Sequence, residues 1–297
     1  MNSFNKLNII KNIKNLDFKA KKSFGQNFLI DNNICSKIAS SIPEKFNDTV
    51  IEIGPGFGTL TYILAKKFKQ VLSIELDNKL YNFVSEKMSD FKNVKFINQD
   101  ALKVNINDII FLNSQNFSSV VLCANLPYCI TTPILTKFLK SDLIDYVTVM
   151  VQREAAERIA APLGTRSCGA ISYFARYYSN PKINFYVSKN CFFPAPKVDS
   201  AVISFEKTKK LNCKNEELLF KVIKLAFEKR RKNILNSIFS SFNLKKEFIS
   251  EILKKCNLDK NMRAENLELK DFINISNLIN FNFHVPGQNP PSLDGKL

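Results

Sequence analysis

Tryptophan is absent from this 297-residue chain, histidine occurs once, as His284, and none of the seven cysteines forms a C-x-x-C pair. No metal site or disulfide framework is readable from such a set. The cysteines, at 35, 123, 129, 168, 191, 213 and 256, are odd in number, and several sit in apolar stretches. They read as small buried hydrophobes in a reducing compartment, with the cytoplasm as the simplest location. No apolar run approaches the length of a membrane span. The segment Met1 to Lys22 has no uninterrupted apolar core of a secretory signal, and it lacks arginine and carries Asp17, unlike an organelle presequence. Acidic residues are also few, 27 against 43 Lys plus Arg, for a net charge of +16. That surplus suits a polyanionic partner, nucleic acid or an anionic membrane surface, but a composition rich in Lys, Asn, Ile and Phe gives the same charge without any binding role.

A globular core is well supplied, with 45% hydrophobic residues and 26 Phe in a length that suits one large or two modest domains. From about residue 49, short β-branched runs alternate with longer helical patterns, which predicts a mainly parallel sheet with crossover helices. Strands are expected at Val50 to Ile53, Val71 to Ile74, Val94 to Ile97, Val120 to Cys123 and Tyr146 to Val151. Helices are expected at Leu60 to Phe68, Lys79 to Met88 and Pro133 to Leu139. Ile183 to Val187 and Ala201 to Phe205 add a closing hairpin at the sheet edge. After residue 207 the pattern is helical only, starting with one helix from Glu216 to Phe239 in which Leu219, Val222, Ile223 and Ala226 share a face. The fold class is therefore α/β, a Rossmann-like domain with a small all-α domain after it. The expected division is a basic extension over 1–20, a catalytic domain over 21–207, a helical domain over 208–280 and a disordered tail over 281–297.

Gly54-Pro55-Gly56-Phe57-Gly58 follows the first of these strands, where missing side chains let a ligand lie against the backbone. Glu75, at the end of the second strand, can accept two ribose hydroxyls. A dinucleotide site shares both features, but its third glycine would fall at Thr59, so no clear pyrophosphate cradle remains. S-adenosylmethionine, with ribose and adenine but no phosphate, fits the set, with Asp100 for the adenine amine. Asp100 reads equally as a loop residue or helix cap, while Glu52 and Asp77 read as supporting or surface groups.

Asn125-Leu126-Pro127-Tyr128 follows the fourth strand. The Asn125 side-chain oxygen and the Leu126 carbonyl can accept the two N–H bonds of an exocyclic amine and free its lone pair. Pro127 stiffens the loop, and Tyr128 offers a face for a purine. Taken alone, the four residues are also an ordinary strand-to-helix turn.

Lys22-Ser23-Phe24-Gly25-Gln26-Asn27-Phe28-Leu29, the glycine turn, Glu75-Leu76-Asp77, Asn98-Gln99-Asp100-Ala101-Leu102, the Asn125 motif and Phe192-Phe193-Pro194-Ala195-Pro196-Lys197-Val198-Asp199-Ser200 together resemble, in order and spacing, the ribosomal RNA adenine N6-dimethyltransferases. The stretch from Ala226 to Ser237 and Met262-Arg263-Ala264-Glu265-Asn266-Leu267 resemble the small-subunit branch more than the macrolide-resistance branch. The resemblance implies an S-adenosylmethionine-dependent methyltransferase acting on two adjacent adenosines near the 3′ end of small-subunit rRNA, as a monomer with no metal. It implies that Gln26, Asn27 and Leu29 fold over the cofactor and that Gly54, Gly56, Glu75, Asp100 and Asn125 bind or face it. It also implies that Phe192 stacks on the target adenine opposite Tyr128, and that Lys229, Arg230, Arg231 and Lys232 touch RNA phosphates. Cys129 stands where the family usually has Asn. A ribosome-assembly or RNA-binding factor whose methylation is secondary, and a large-subunit rRNA adenine methyltransferase of the macrolide-resistance type, are the competing expectations.

Overall fold

The computed structural model of the chain describes residues 8, 10, 11, 26–113, 117–208, 211–229, 231–242 and 245–283. Most of the expected extension over 1–20, and the expected tail beyond Phe283, lie outside them. The chain divides into two compact units, Met1–Glu157 with Tyr178–Thr208, and Arg158–Tyr177 with Lys209–Leu297.

The first unit opens with β1 (Phe28–Leu29) and α1 (Asn32–Ser40), the helix capped by the Asp31 carboxylate. Next come β2 (Thr49–Ile53), α2 (Thr59–Lys67), β3 (Gln70–Glu75), α3 (Asn78–Lys87), β4 (Val94–Asn98), α4 (Ile106–Asn113), β5 (Val120–Asn125), α5 (Thr131–Lys140) and β6 (Tyr146–Gln152). Strands β4, β3, β2, β5 and β6 are parallel neighbours in that order. Every residue of β2 is buried, and so is all of β5 before Asn125, which is why these strands read as unbroken apolar runs. Helix α6 (Arg153–Ala160) follows β6, and α7 (Ala170–Tyr178) precedes β7 (Ser179–Val187). Strand β9 (Ser200–Lys207) lies antiparallel between β6 and β7, so the expected edge hairpin is present, with β7 outermost. Between its two arms, β8 (Phe192–Phe193) leaves the main sheet and pairs antiparallel with β1, Phe28 opposite Phe193 and Leu29 opposite Phe192.

The second unit contains α8 (Glu216–Glu228), α9 (Ile234–Phe242), α10 (Lys246–Lys255) and α11 (Leu269–Phe283). Its aromatic core corrects the expected boundary at 207, because residues 158–177 belong to the helical unit. Tyr173 meets the Phe272 ring at 5.1 Å and 80° and the Phe227 ring at 5.3 Å, and its hydroxyl donates to the Leu267 carbonyl at 2.5 Å. Phe174 and Tyr177 both pack on Phe220, at 4.9 and 5.3 Å. Each such aromatic buries a large apolar area, and those partners lie on the later helices. The last helix runs to Phe283, so residues 281–283, expected in the tail, are helical, and the rest of that expected tail lies outside the described residues.

The single helix expected from Glu216 to Phe239 is two. Helix α8 ends at Glu228, and Lys229 leaves helical geometry with φ −114° and ψ 53°. The Lys232 N–H then turns back to the Lys229 carbonyl at 2.8 Å, and the Asn233 side chain accepts from the Asn236 N–H at 3.0 Å. Asn233 is thus a cap that starts α9, where the apolar periodicity had suggested helix interior. Lys229, Arg231 and Lys232 lie in the intervening turn, and Arg230 falls outside the described residues.

Candidate active site

A cleft opens at the carboxyl ends of the parallel strands, where the sheet order reverses between β2 and β5. That is where an open α/β sheet leaves a crevice, because successive connections depart to opposite sides. Its lining brings together Gln26, Asn27 and Leu29, the loop from Gly54 to Phe57, Glu75, Asp100 and Asn125 to Ile130. Every residue expected to bind the cofactor lies there. So do Glu52 and Cys129.

The glycine loop has positive φ at Gly54 (69°), Gly56 (57°) and Gly58 (83°). The Gly54 N–H donates to the Ile74 carbonyl at 2.9 Å and the Gly58 N–H to the Pro55 carbonyl at 2.9 Å, which folds the loop back over the strand ends. A Cβ on Gly54 would meet nothing within 4 Å, so this side of the loop is open to a ligand. A Cβ on Gly56 would come within 2.9 Å of the Phe28 ring, so its hydrogen is what lets the 26–29 segment close down. That segment is held from behind by β8 and by the Ile30 N–H to the Cys191 carbonyl at 2.9 Å. Phe28 meets Phe57 edge-on at 4.8 Å, placing an aromatic wall beside the loop.

The Glu75 carboxylate is fixed by two backbone donors, Asp77 N–H to one oxygen at 2.9 Å and Gly56 N–H to the other at 3.3 Å. Burial raises its pKa and these hydrogen bonds oppose the rise. Asp77, expected to be supporting or exposed, is buried and caps α3 through Lys79 N–H at 2.9 Å. Asp100 lines the cleft, and its carboxylate accepts the Leu102 N–H at 2.9 Å, as a loop-capping residue does.

Asn125 donates its side-chain N–H to the Asn27 carbonyl at 3.2 Å, so the amide is oriented and its oxygen is the end left to accept. Pro127, with φ −55° and ψ 131°, turns the chain out of β5 into the short helical turn Tyr128–Ile130. Tyr128 is half-buried, and its hydroxyl lies 2.9 Å from the Ser200 Oγ, which fixes the ring over the cleft. Desolvation raises its pKa.

Phe192 is the exception. It is 3% exposed, packs in the sheet core with Leu29 and does not line the cleft, so the expected second stacking face is not presented there. The reason is strand alternation, since only one of two neighbouring Phe in β8 can point inward, and Leu29 fixes Phe192 as that one.

Glu52 was undervalued in the sequence. One oxygen accepts the Thr61 and Ser73 hydroxyls at 2.7 and 2.8 Å, while the other is buried without a hydrogen-bond partner. Its signal was a carboxylate amid a buried strand two residues before a glycine turn, a place where burial needs compensation.

The pieces suit a nucleoside carrying a cationic tail: an open glycine face, a held carboxylate at a strand end, an acceptor for an amine and an orphaned buried oxygen. Fold and cleft together define an S-adenosylmethionine-dependent methyltransferase. The sequence pattern of one such family, ribosomal RNA adenine dimethylase, matches residues 17–280. The chain belongs to that family and is an rRNA adenine-N6,N6-dimethyltransferase. It is 42% identical over 271 residues to ribosomal RNA small subunit methyltransferase A of Clostridioides difficile (strain 630), covering 90% of this chain and 93% of that one. To the same-named protein of Alkaliphilus metalliredigens (strain QYMF) it is 39% identical, over 89% and 93%. Its fold resembles a dimethyladenosine transferase from Plasmodium falciparum (TM-score 0.69, 22% identity, 85% of this chain and 96% of that one). It also resembles the 23S rRNA methyltransferase ErmE (TM-score 0.62, 22% identity, 86% and 100%).

Proposed function

We propose that the cleft aims the N6 lone pair of a flipped adenine by hydrogen-bond acceptance, and that none of the carboxylates lining it acts as acid or base on the reacting nitrogen. The enzyme dimethylates adjacent adenosines of small-subunit rRNA. Bound S-adenosylmethionine would supply an electrophilic methyl carbon on a sulfonium, with the neutral thioether S-adenosylhomocysteine as the leaving group. The Asn125 oxygen and the Leu126 carbonyl accept the N6 protons and draw the nitrogen toward a tetrahedral shape. The observation that carries this is the Asn125 amide, pinned by Asn27 with its oxygen left for the cleft. Tyr128, tied to Ser200, supplies the stacking face, worth roughly 1–3 kcal/mol toward the cost of extruding the base. Gln26, Asn27 and Leu29 close over the cofactor, Gly54, Gly56 and Glu75 seat its ribose side, and Asp100 takes its adenine amine. Positioning carries the rate, because placing both reactants removes most of the entropic barrier.

Phe192 takes part in this reading as the residue that anchors the 26–29 segment through β8, and stacking on the base falls to Tyr128. Lys229, Arg231 and Lys232, in the turn after α8, and Arg230, which lies outside the described residues, supply positive charge for RNA phosphates, read by shape and charge. The reaction takes place in the cytoplasm, where ribosomes assemble, and one copy of the chain suffices. Incubating the protein with labelled S-adenosylmethionine and unmethylated small subunits, then mapping the modified bases, should give dimethyladenosine at two neighbouring positions. Label confined to other bases, or to large-subunit RNA, would overturn the reading.

A further inference from the structure

Glu52 sits where a charge is costly and where a charge is about to arrive. It lines the cofactor cleft as the next-to-last residue of β2, opposite Ser73 of β3 and Cys123 of β5. Its side chain is buried, with one oxygen satisfied by Thr61 and Ser73 and the other unpartnered. Burial raises its pKa to about 7; the two hydroxyl donors lower it, and nearby Glu75 raises it further. The other titratable groups that sense it are buried thiols, Cys35 on α1 and Cys123, both held neutral by burial and by Glu52 itself. Lys67 on α2 acts on Cys123, and its ammonium is engaged by the Ala39 and Ile42 carbonyls at 2.6 Å. Among the described residues, no cation is paired with Glu52.

We propose that Glu52 is the residue that makes cofactor binding proton-linked: it holds a proton in the empty cleft, releases it when the cationic cofactor enters, and partly regains it when methyl transfer leaves a neutral sulfur. The inference rests on the reading of the cleft as the S-adenosylmethionine site. S-adenosylmethionine carries one positive charge more than its demethylated product, so it favours ionised Glu52 more strongly, whatever its exact pose. A buried carboxylate with an unfilled oxygen is the group in this cleft able to convert that difference into affinity. The sign follows from linkage. Affinity for the methylated cofactor climbs as pH rises toward the empty-cleft pKa and levels off above it, while affinity for the product climbs less. Discrimination in favour of substrate cofactor over product therefore grows with pH, which aids release between the two transfers each adenine needs.

Titration calorimetry on the full chain, in buffers of different ionisation enthalpy from about pH 6 to about pH 8, reads proton release directly. The wild type should release a fraction of a proton on binding S-adenosylmethionine near pH 6.5 and less on binding S-adenosylhomocysteine. Their affinity ratio should rise severalfold across the range. Glu52→Gln, which keeps acceptors for Thr61 and Ser73, should lose this release and give a flat ratio; Glu75 remains in that variant, so its own titration is subtracted. Equal release with both ligands, or unchanged release in Glu52→Gln, would overturn the proposal. Should Glu52→Gln not fold, difference infrared spectroscopy on the wild type decides: a protonated carboxyl band must disappear on adding S-adenosylmethionine, and its persistence sinks the idea. Absence of any binding heat from either ligand would instead sink the cofactor reading.

Discussion

At the scale of single residues, Asn125 and Gly56 show two different reasons for a position to be fixed. Asn125→Ala removes one of two acceptors for the reacting amine. Such losses cost on the order of 100-fold or more in kcat, and methyl transfer to unmethylated subunits should fall by that much while the variant still folds. An assembly factor with incidental methylation would keep its biological role in this variant. Gly56→Ala acts through space and backbone together, since its Cβ would strike Phe28 at 2.9 Å and φ is positive. A strained residue of this kind costs about 1–3 kcal/mol, so a lowered Tm and weakened cofactor binding are expected together. Glycine was legible in the sequence as a turn residue; the Phe28 contact was not, because it joins residues 28 positions apart through a fold.

At the scale of elements, β8 and the turn after α8 changed most between sequence and structure. The motif containing Phe192 was readable as a motif, but its placement depended on pairing with β1, which local pattern does not reveal. Phe192→Ala should therefore behave as a core truncation, destabilising by about 3–5 kcal/mol, measurable as a drop in Tm without RNA present. A stacking residue would instead leave Tm unchanged and weaken only RNA binding. The turn from Lys229 to Lys232 sits at the negative end of α8, so part of its charge answers the helix dipole. If it also contacts phosphate, replacing Arg231 and Lys232 with Gln should weaken rRNA binding across sequences. It should also reduce the slope of log affinity against log salt by about one per residue, read in a binding titration at several salt concentrations.

At the scale of the whole molecule, the buried acid in the first unit makes stability pH-dependent in a direction opposite to that of most carboxylates. The Glu52 pKa is raised from its ordinary value to about 7 in the folded chain. The folded state thus binds a proton that the unfolded state has already lost over the window between these values. The associated stability is complete at the acid end of the window and disappears as pH rises through about 7, a difference of about 3 kcal/mol. The Tm of ligand-free wild type should accordingly fall relative to that of Glu52→Gln as pH rises through this range, as calorimetry would show. The sequence by itself determined the order of strands and helices, the mainly parallel sheet, the glycine turn and the acceptor motif after β5. These are local patterns, set by the period of apolar residues and by residues whose backbone preferences need no distant partner. Only the tertiary structure decided that residues 158–177 join the helical unit, that Phe192 faces the core, that Asn125 is aimed by Asn27, and that Glu52 is left with one oxygen unfilled. Each of those depends on which groups meet across the sheet or between distant segments, and burial and hydrogen bonding are properties of that meeting.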